Sequence, residues 1–234
     1  MSEYISILIP IYNGIEFFEE SFTSVINQTY KNWELLIGIN GRYNDNTYLD
    51  KVNLIIDKYN NKNNYSFDIT VFNFDFKGKS NTLNTLVKHA KYNFIALLDV
   101  DDIWFHNKLE IQSKFLKSYD VIGTKCEYFG NINKFQPDIP TGNISNFDIF
   151  KFNPIINSSV IINKKFSYWN NDLLNGLEDY DLWFKLFFDK KNIYNVDNVL
   201  CYHRIHNESA FNNSNFNYLS ILYNKWNYIK FLIK

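Results

Sequence analysis

Three short segments carry residue types from which chemistry could be built. The first is Leu97-Leu98-Asp99-Val100-Asp101-Asp102-Ile103-Trp104, where three carboxylates follow an apolar run directly. Crowded negative charge is unfavourable without a cation. Carboxylate oxygens are hard ligands of the kind Mg2+ or Mn2+ takes, one or two at a time, together with the phosphates of a substrate. The competing assignment is a solvated acidic turn in which Asp102 caps the next helix. The second segment is Gly176-Leu177-Glu178-Asp179-Tyr180-Asp181-Leu182-Trp183, an acidic helix entrance. An Asp placed there can act as a general base if it reaches an attacking hydroxyl, although the same acids also simply complement a helix dipole. The third is Tyr202-His203-Arg204-Ile205-His206-Asn207-Glu208-Ser209, which holds two of the four histidines and one of the two arginines. Arg204 suits diphosphate oxygens and His206 suits phosphate or a metal, and both equally suit a polar surface loop.

Such groups act only if the fold brings them together. Ile5-Ser6-Ile7-Leu8-Ile9 is an apolar run closed by Pro10 and Asn13-Gly14, which predicts a buried strand entering a loop. Phe18, Phe22, Val25 and Ile26 recur at helical spacing, and 33–39 reads as a second buried strand. The alternation continues with a helix over 48–59, a strand over 69–73, a helix over 80–90 and a strand over 94–98. Strands and helices in this order make a mostly parallel sheet flanked by helices, with ligands bound beyond the carboxyl ends of the strands. Past Ile103 the pattern is less regular: a helix over 108–116, strands over 121–129 and 155–162, a loop over 136–142 and a helix after Glu178. Residues 216–234 read as a helix mixing apolar residues with Lys225, Lys230 and Lys234. That helix could pack on the domain, pair with a second copy, or lie in a membrane interface.

The composition excludes several classes. The chain has 234 residues with 46% hydrophobic content, enough to fill a sizeable core. Its 24 Lys and Arg nearly balance 25 Asp and Glu, so no basic stripe points to nucleic acid. Cys126 and Cys201 are far apart and no charged, apolar leader precedes them, so free buried thiols and a cytoplasmic or cytosol-facing location are expected. No apolar run reaches the roughly 18 residues that a membrane span needs. Abundant Asn, Lys, Ile, Tyr and Phe point to an A+T-rich coding sequence, such as that of some bacteria or large DNA viruses.

Taken in order, several segments resemble the family 2 glycosyltransferases over most of the chain. They are Ser6-Ile7-Leu8-Ile9-Pro10-Ile11-Tyr12-Asn13, Ser24-Val25-Ile26-Asn27-Gln28-Thr29-Tyr30 leading to Trp33-Glu34-Leu35-Leu36-Ile37, and Lys77-Gly78-Lys79-Ser80 with Asn84. After these come Asp99-Val100-Asp101-Asp102 with Lys108-Leu109, and Glu178-Asp179 with Leu182-Trp183. The resemblance implies a single-domain GT-A fold over 1–206, with a nucleotide-sugar half over 1–102, an acceptor-side half over 103–206 and a helical extension over 207–234. It also implies that Pro10, Tyr12 and Asn13 cradle the nucleoside, that Asn40 contacts the base, and that Lys79 helps to hold the nucleotide. Asp99 and Val100 then lie against the ribose, Asp101 binds Mn2+ or Mg2+ on the diphosphate, and Asp179 is the base. Arg204 and His206 fall in a closing segment over the diphosphate, with His206 reaching the metal.

One departure stands at the second strand end, where members usually show Asp-Asp-Gly-Ser and this chain has Ile39-Asn40-Gly41-Arg42. An amide both donates and accepts, whereas an ionised Asp only accepts, so base preference shifts from strict uridine. The implied activity is metal-dependent, inverting transfer from a nucleotide-diphosphate sugar, with UDP favoured, to a hydroxyl of a glycan, lipid-linked or protein acceptor. The alternative is an inactive scaffold that binds the nucleotide sugar.

Overall fold

The chain, as a computed structural model, describes residues 3–42, 45–63, 67–172, 176–207 and 216–232. Expectations placed on Glu208 and Ser209 lie outside the described residues. The first half alternates as its periodicity requires: β1 Ile5–Ile11, α1 Phe18–Ile26, β2 Trp33–Ile39, α2 Thr47–Asn63, β3 Ile69–Asn73, α3 Lys79–His89 and β4 Phe94–Leu97. These four strands pair in parallel, in the order β3-β2-β1-β4. β1 is buried along its whole length because helices cover both faces, which explains why its sequence does not alternate. Ile5, Ile7, Ile9 and Ile11 pack with Phe18 and Phe22 of α1 and Val52 of α2. Leu8 and Leu36 point the other way, toward Leu83 and Leu86 of α3.

The second half extends the same sheet through β5 Ile103–Trp104, α4 Lys108–Ser113, β6 Val121–Gly130, β7 Gly142–Asn143, β8 Ile161–Asn163, α5 Glu178–Phe188, β9 Ile193–Ile205 and α6 Phe216–Leu232. The nine strands run β3-β2-β1-β4-β8-β6-β9-β5, with β7 on β9. The long ladders are parallel, while the antiparallel ones are two or three residues each, so the sheet is mostly parallel.

Three sequence expectations change here. The expected strand over 155–162 is a 3-10 turn, Asn157–Ser159, followed by the three-residue β8. Within the expected loop over 136–142, Gly142 opens β7. The segment expected as a closing loop is the end of β9, a 13-residue strand. Its polar residues and the register shifts of the β6–β9 ladder at Lys125 break the alternation that would reveal a strand.

β9 is fastened where the acidic segment leaves the sheet. The β5–β9 pairing sets Ile103 opposite Tyr202, which brings His203 and Arg204 to Asp102. The fully buried Asp102 carboxylate accepts from Arg204 N at 2.8 Å and faces His203 Nδ1 at 2.9 Å. Asp102 is therefore a tie between strands and not a helix cap; Asn107 precedes α4. Burial opposes a charge on His203, but Asp102 outweighs it and pushes the imidazole up to about 9.

α6 packs on the domain. Leu222 and Trp226 are buried, the Trp226 ring stacks 5.8 Å from Phe184, and Asp181 Oδ1 accepts from Trp226 Nε1 at 2.6 Å and Lys225 Nζ at 2.7 Å. Ile221, Tyr228 and Phe231 face outward. No helix among the described residues is long and apolar enough to cross a membrane.

Two outcomes follow from these packings. Trp226→Ala should destabilise the protein by about 3 kcal/mol in urea denaturation, because a large buried ring and its donor are both removed. In Asp102→Asn, NMR titration should find His203 falling well below about 9, since Asp102 is the largest of the groups that offset burial there. The sign for stability follows: the pair's contribution is complete below the unfolded value and fades as pH rises through the folded one.

Candidate active site

The carboxyl ends of β1 to β4 converge as the topology demands, and side chains tie them together. Asn40, just past β2, is 1% exposed. Its Nδ2 donates to Ile11 O at 2.9 Å and its Oδ1 accepts from Gly78 N at 3.0 Å. Asn40 was expected to meet a base edge; here its amide is committed to backbone, and it fastens the β1, β2 and β3 exits to one another. An Asp could not donate to Ile11 O, which gives the departure at this position a structural reason.

Beside this tie, Tyr12 is half-exposed, with Lys77 Nζ 4.8 Å and Arg42 Cζ 5.9 Å from its ring centre. Arg42 also donates to Asn13 Oδ1 at 2.8 Å and Tyr48 OH at 2.9 Å. Gly41 has φ 71°, and a Cβ there would stand 2.5 Å from Tyr12 Cε2, so the close approach requires glycine. Pro10 lies within β1 opposite Gly38, and Val100 is buried against Gly14. These residues sit together at the carboxyl ends of β1, β2 and β4.

The charged centre lies at the start of α3. Gly78, at φ 125°, opens α3 and places Lys79 as its first residue. A cation is disfavoured at a helix N-terminus. Two carboxylates offset this: Lys79 Nζ lies 2.9 Å from Asp99 Oδ1 and 3.0 Å from Asp179 Oδ2. Asp99 is further held by Asn157 Nδ2 at 3.0 Å, and its backbone N donates to Ser158 Oγ at 3.0 Å. Burial disfavours every charge here. Asp179 and Asp99 nonetheless hold Lys79 well above the ordinary ammonium range, and Lys79 brings Asp99 below the usual carboxylate range. Asp179 sits in the first turn of α5 and stays raised, chiefly by burial. Its neighbour Glu178 is pushed up to about 7 by burial and then by the Asp179 charge.

Asp101 stands on the opposite side of the same turn. Its Oδ2 lies 2.9 Å from His206 Nε2, a contact the β5–β9 pairing creates across 105 residues. Burial, then Asp102 and Asp99, push its carboxyl up to about 6. Arg204 Nε donates to Asp101 O and NH2 to Glu20 Oε2, each at 2.8 Å, while the guanidinium lies 4.5 Å from the Phe17 ring and 4.3 Å from Phe129. Among the described residues no cluster of three or more His, Cys, Asp or Glu side chains is arranged to hold a metal ion. The oxygen and nitrogen pair of Asp101 and His206 fits a hard divalent ion that takes its remaining ligands from substrate phosphates and water, as Mg2+ does.

The structure thus brings together Asp99, Lys79 and Asp179 as one group, and Asp101, His206 and Arg204 as another. Sequence reading missed the residues that orient them: Trp169, Asn157, Ser158 and His203. Asn84, quoted among the motif residues, turns out to hold Trp169 at its backbone. Trp169 and Tyr180 are core residues, fully buried and 6% exposed respectively. Cys126 and Cys201 are free and buried, as expected.

Comparison with known proteins bears on the family and the fold. The chain is 36% identical over 126 residues to the Escherichia coli protein WfgD, named as a UDP-Glc:alpha-D-GlcNAc-diphosphoundecaprenol beta-1,3-glucosyltransferase; the match covers 50% of this chain and 44% of WfgD. The chain spans 19% to 35% of the length of three Rickettsia glycosyltransferases that it also matches. Among solved structures, Staphylococcus aureus TarS 1-349 with UDP-GlcNAc superposes with a TM-score of 0.72 at 18% identity, over 91% of this chain and 61% of that one. The Pyrobaculum calidifontis mannosyltransferase PcManGT, solved with GDP-Man and Mn2+, gives 0.67 at 13% identity, over 90% and 59%. At such identities these structures establish the fold alone, which is GT-A. The sequence profile described as Glycosyl transferase family 2 matches residues 6–173, more than half of the chain, and the chain belongs to that family.

Proposed function

We propose that the chain catalyses transfer of a sugar from a nucleotide-diphosphate donor to an acceptor hydroxyl, with inversion at the anomeric carbon. The observation that carries this reading is the meeting of Asp179 and Asp99 on Lys79 at the strand and helix ends, with Asp101, two residues past Asp99, held against His206. Tyr12, Asn13 and the Asn40 tie shape the nucleoside end, and Asp99 faces the ribose. Uridine is the favoured base, in line with the donor in the name of WfgD. The acceptor is a hydroxyl on a glycan, a lipid-linked sugar or a protein.

Asp179 takes the proton from that hydroxyl, whose oxygen attacks the anomeric carbon as the nucleotide diphosphate leaves from the opposite side. No covalent intermediate with the protein is needed, because the acceptor oxygen displaces the nucleotide diphosphate directly. Asp101, with His206, would hold Mn2+ or Mg2+, which supplies Lewis-acid neutralisation of charge on the leaving diphosphate. Lys79 contributes fixed positive charge in a site of low dielectric, where it acts more strongly than in water. Its ion pair with Asp179 favours the ionised form of the base against the burial that raises it.

Three measurements test the reading. A panel of nucleotide sugars with Mn2+, Mg2+ or chelator should show metal-dependent turnover of one donor; binding without turnover in every combination would favour the scaffold. Asp179→Asn should leave donor affinity intact and lower transfer by at least ~10²-fold, the lower range for a positioned base. Transfer near the wild-type rate would remove Asp179 from the role. For Asp101→Ala, calorimetric titration should lose the metal-dependent part of nucleotide binding, and an unchanged titration would count against Asp101 as a ligand.

A further inference from the structure

The residue that touches Asp179 opposite Lys79 is Trp169. Its Nε1 donates to Asp179 Oδ1 at 2.9 Å while Lys79 Nζ holds Oδ2 at 3.0 Å. Trp169 is fully buried, so its indole N–H has no access to water. A core position asks only for an apolar ring; a tryptophan there adds a donor that must find a partner. The ring is not free to drift. Asn84 accepts from Trp169 N at 2.9 Å and donates to Trp169 O at 2.8 Å, and it also donates to Asn171 Oδ1 at 3.0 Å. Asn84 lies on α3, the helix whose first residue is Lys79. One rigid helix therefore sets both the cation on one carboxylate oxygen and, through Asn84, the neutral donor on the other.

We infer that Trp169 is a positioning residue for Asp179, its indole N–H fixing the orientation of the carboxylate that receives the acceptor proton. The inference rests on Asp179 being the base. Each carboxylate oxygen keeps a second lone pair after its bond to Trp169 or Lys79, and that lone pair is available to an acceptor hydroxyl. A neutral donor suits the task. It favours the ionised form and locks the rotamer without adding a second cation that would compete for the proton. The charged groups facing Asp179 are Lys79 from α3, Asp99 from the β4 exit and Glu178 from its own helix. The two acids oppose ionisation of Asp179, and the indole N–H and Lys79 favour it.

Trp169→Phe keeps an aromatic ring, smaller than the indole, and removes the donor. In that variant the acid limb of the kcat/KM–pH profile should move up by about one unit, the size expected when one hydrogen bond to a carboxylate is lost. At a pH below the limb the rate should fall by about tenfold, with the donor dissociation constant unchanged. A residue that only packs would lower stability and leave the profile where it was, and that result overturns the inference. In the native protein, the Trp169 indole 1H–15N resonance should shift along the same acid limb and lose that shift in Asp179→Asn; a resonance that ignores the limb also overturns it. The two readings fail separately. If Asp179→Asn keeps transfer, the base assignment falls; if Asp179→Asn is inactive and Trp169→Phe shows an unmoved profile, only the positioning role falls.

Discussion

The bridge from Lys79 to Asp99 and Asp179 is the constraint around which this molecule is organised. It joins the start of α3, the exit of β4 and the start of α5, three elements with no continuous chain between their side chains. Each partner would be poorly placed alone: an ammonium at a helix N-terminus and two buried carboxylates close together. Together they are mutually neutralising, and loss of Lys79 would leave both carboxylates buried and unpaired. The starts of α3 and α5 and the exit of β4 are thus held in register by charge as well as by the sheet beneath them.

A second buried charge does the same for the far edge of the sheet. Asp102 holds His203 and the Arg204 backbone, so the strand carrying Arg204 and His206 is fixed beside the acidic turn. The crowded carboxylates are divided by this arrangement. Asp99 answers to Lys79, Asp102 to His203, and Asp101 to His206; Asp99 and Asp101 stay partly exposed, whereas Asp102 is fully buried. Division of labour among three adjacent acids follows from which strand passes each one.

Amides provide the neutral part of the framework. Asn40, Asn84, Asn157 and Asn195 each bond backbone or carboxylate groups distant in sequence; Asn195 Nδ2, for instance, donates to Pro140 O and Pro154 O at 2.8 Å. Composition alone makes Asn look like a product of coding bias. At these positions an amide, with both donor and acceptor, satisfies buried backbone groups that a carboxylate or an aliphatic side chain would leave unpaired.

The sequence by itself determined the parallel half of the sheet, the helices α1 to α3 and the acidic positions at strand and helix ends, because periodicity and turn residues are local signals read within a few residues. Asp99, Asp101, Asp179 and Lys79 were legible for that reason and for their order along the chain. Only the tertiary structure decided the rest. β9 is hidden in sequence because its ladder is irregular, and the pairing of His206 with Asp101 spans 105 residues. Asn40 changed from an expected ligand contact to a buried tie because Ile11 and Gly78 come to it from other strand ends. Trp169 carried no signal beyond an aromatic in an aromatic-rich chain. Its meaning comes from the carboxylate 2.9 Å away, a neighbour that only folding supplies.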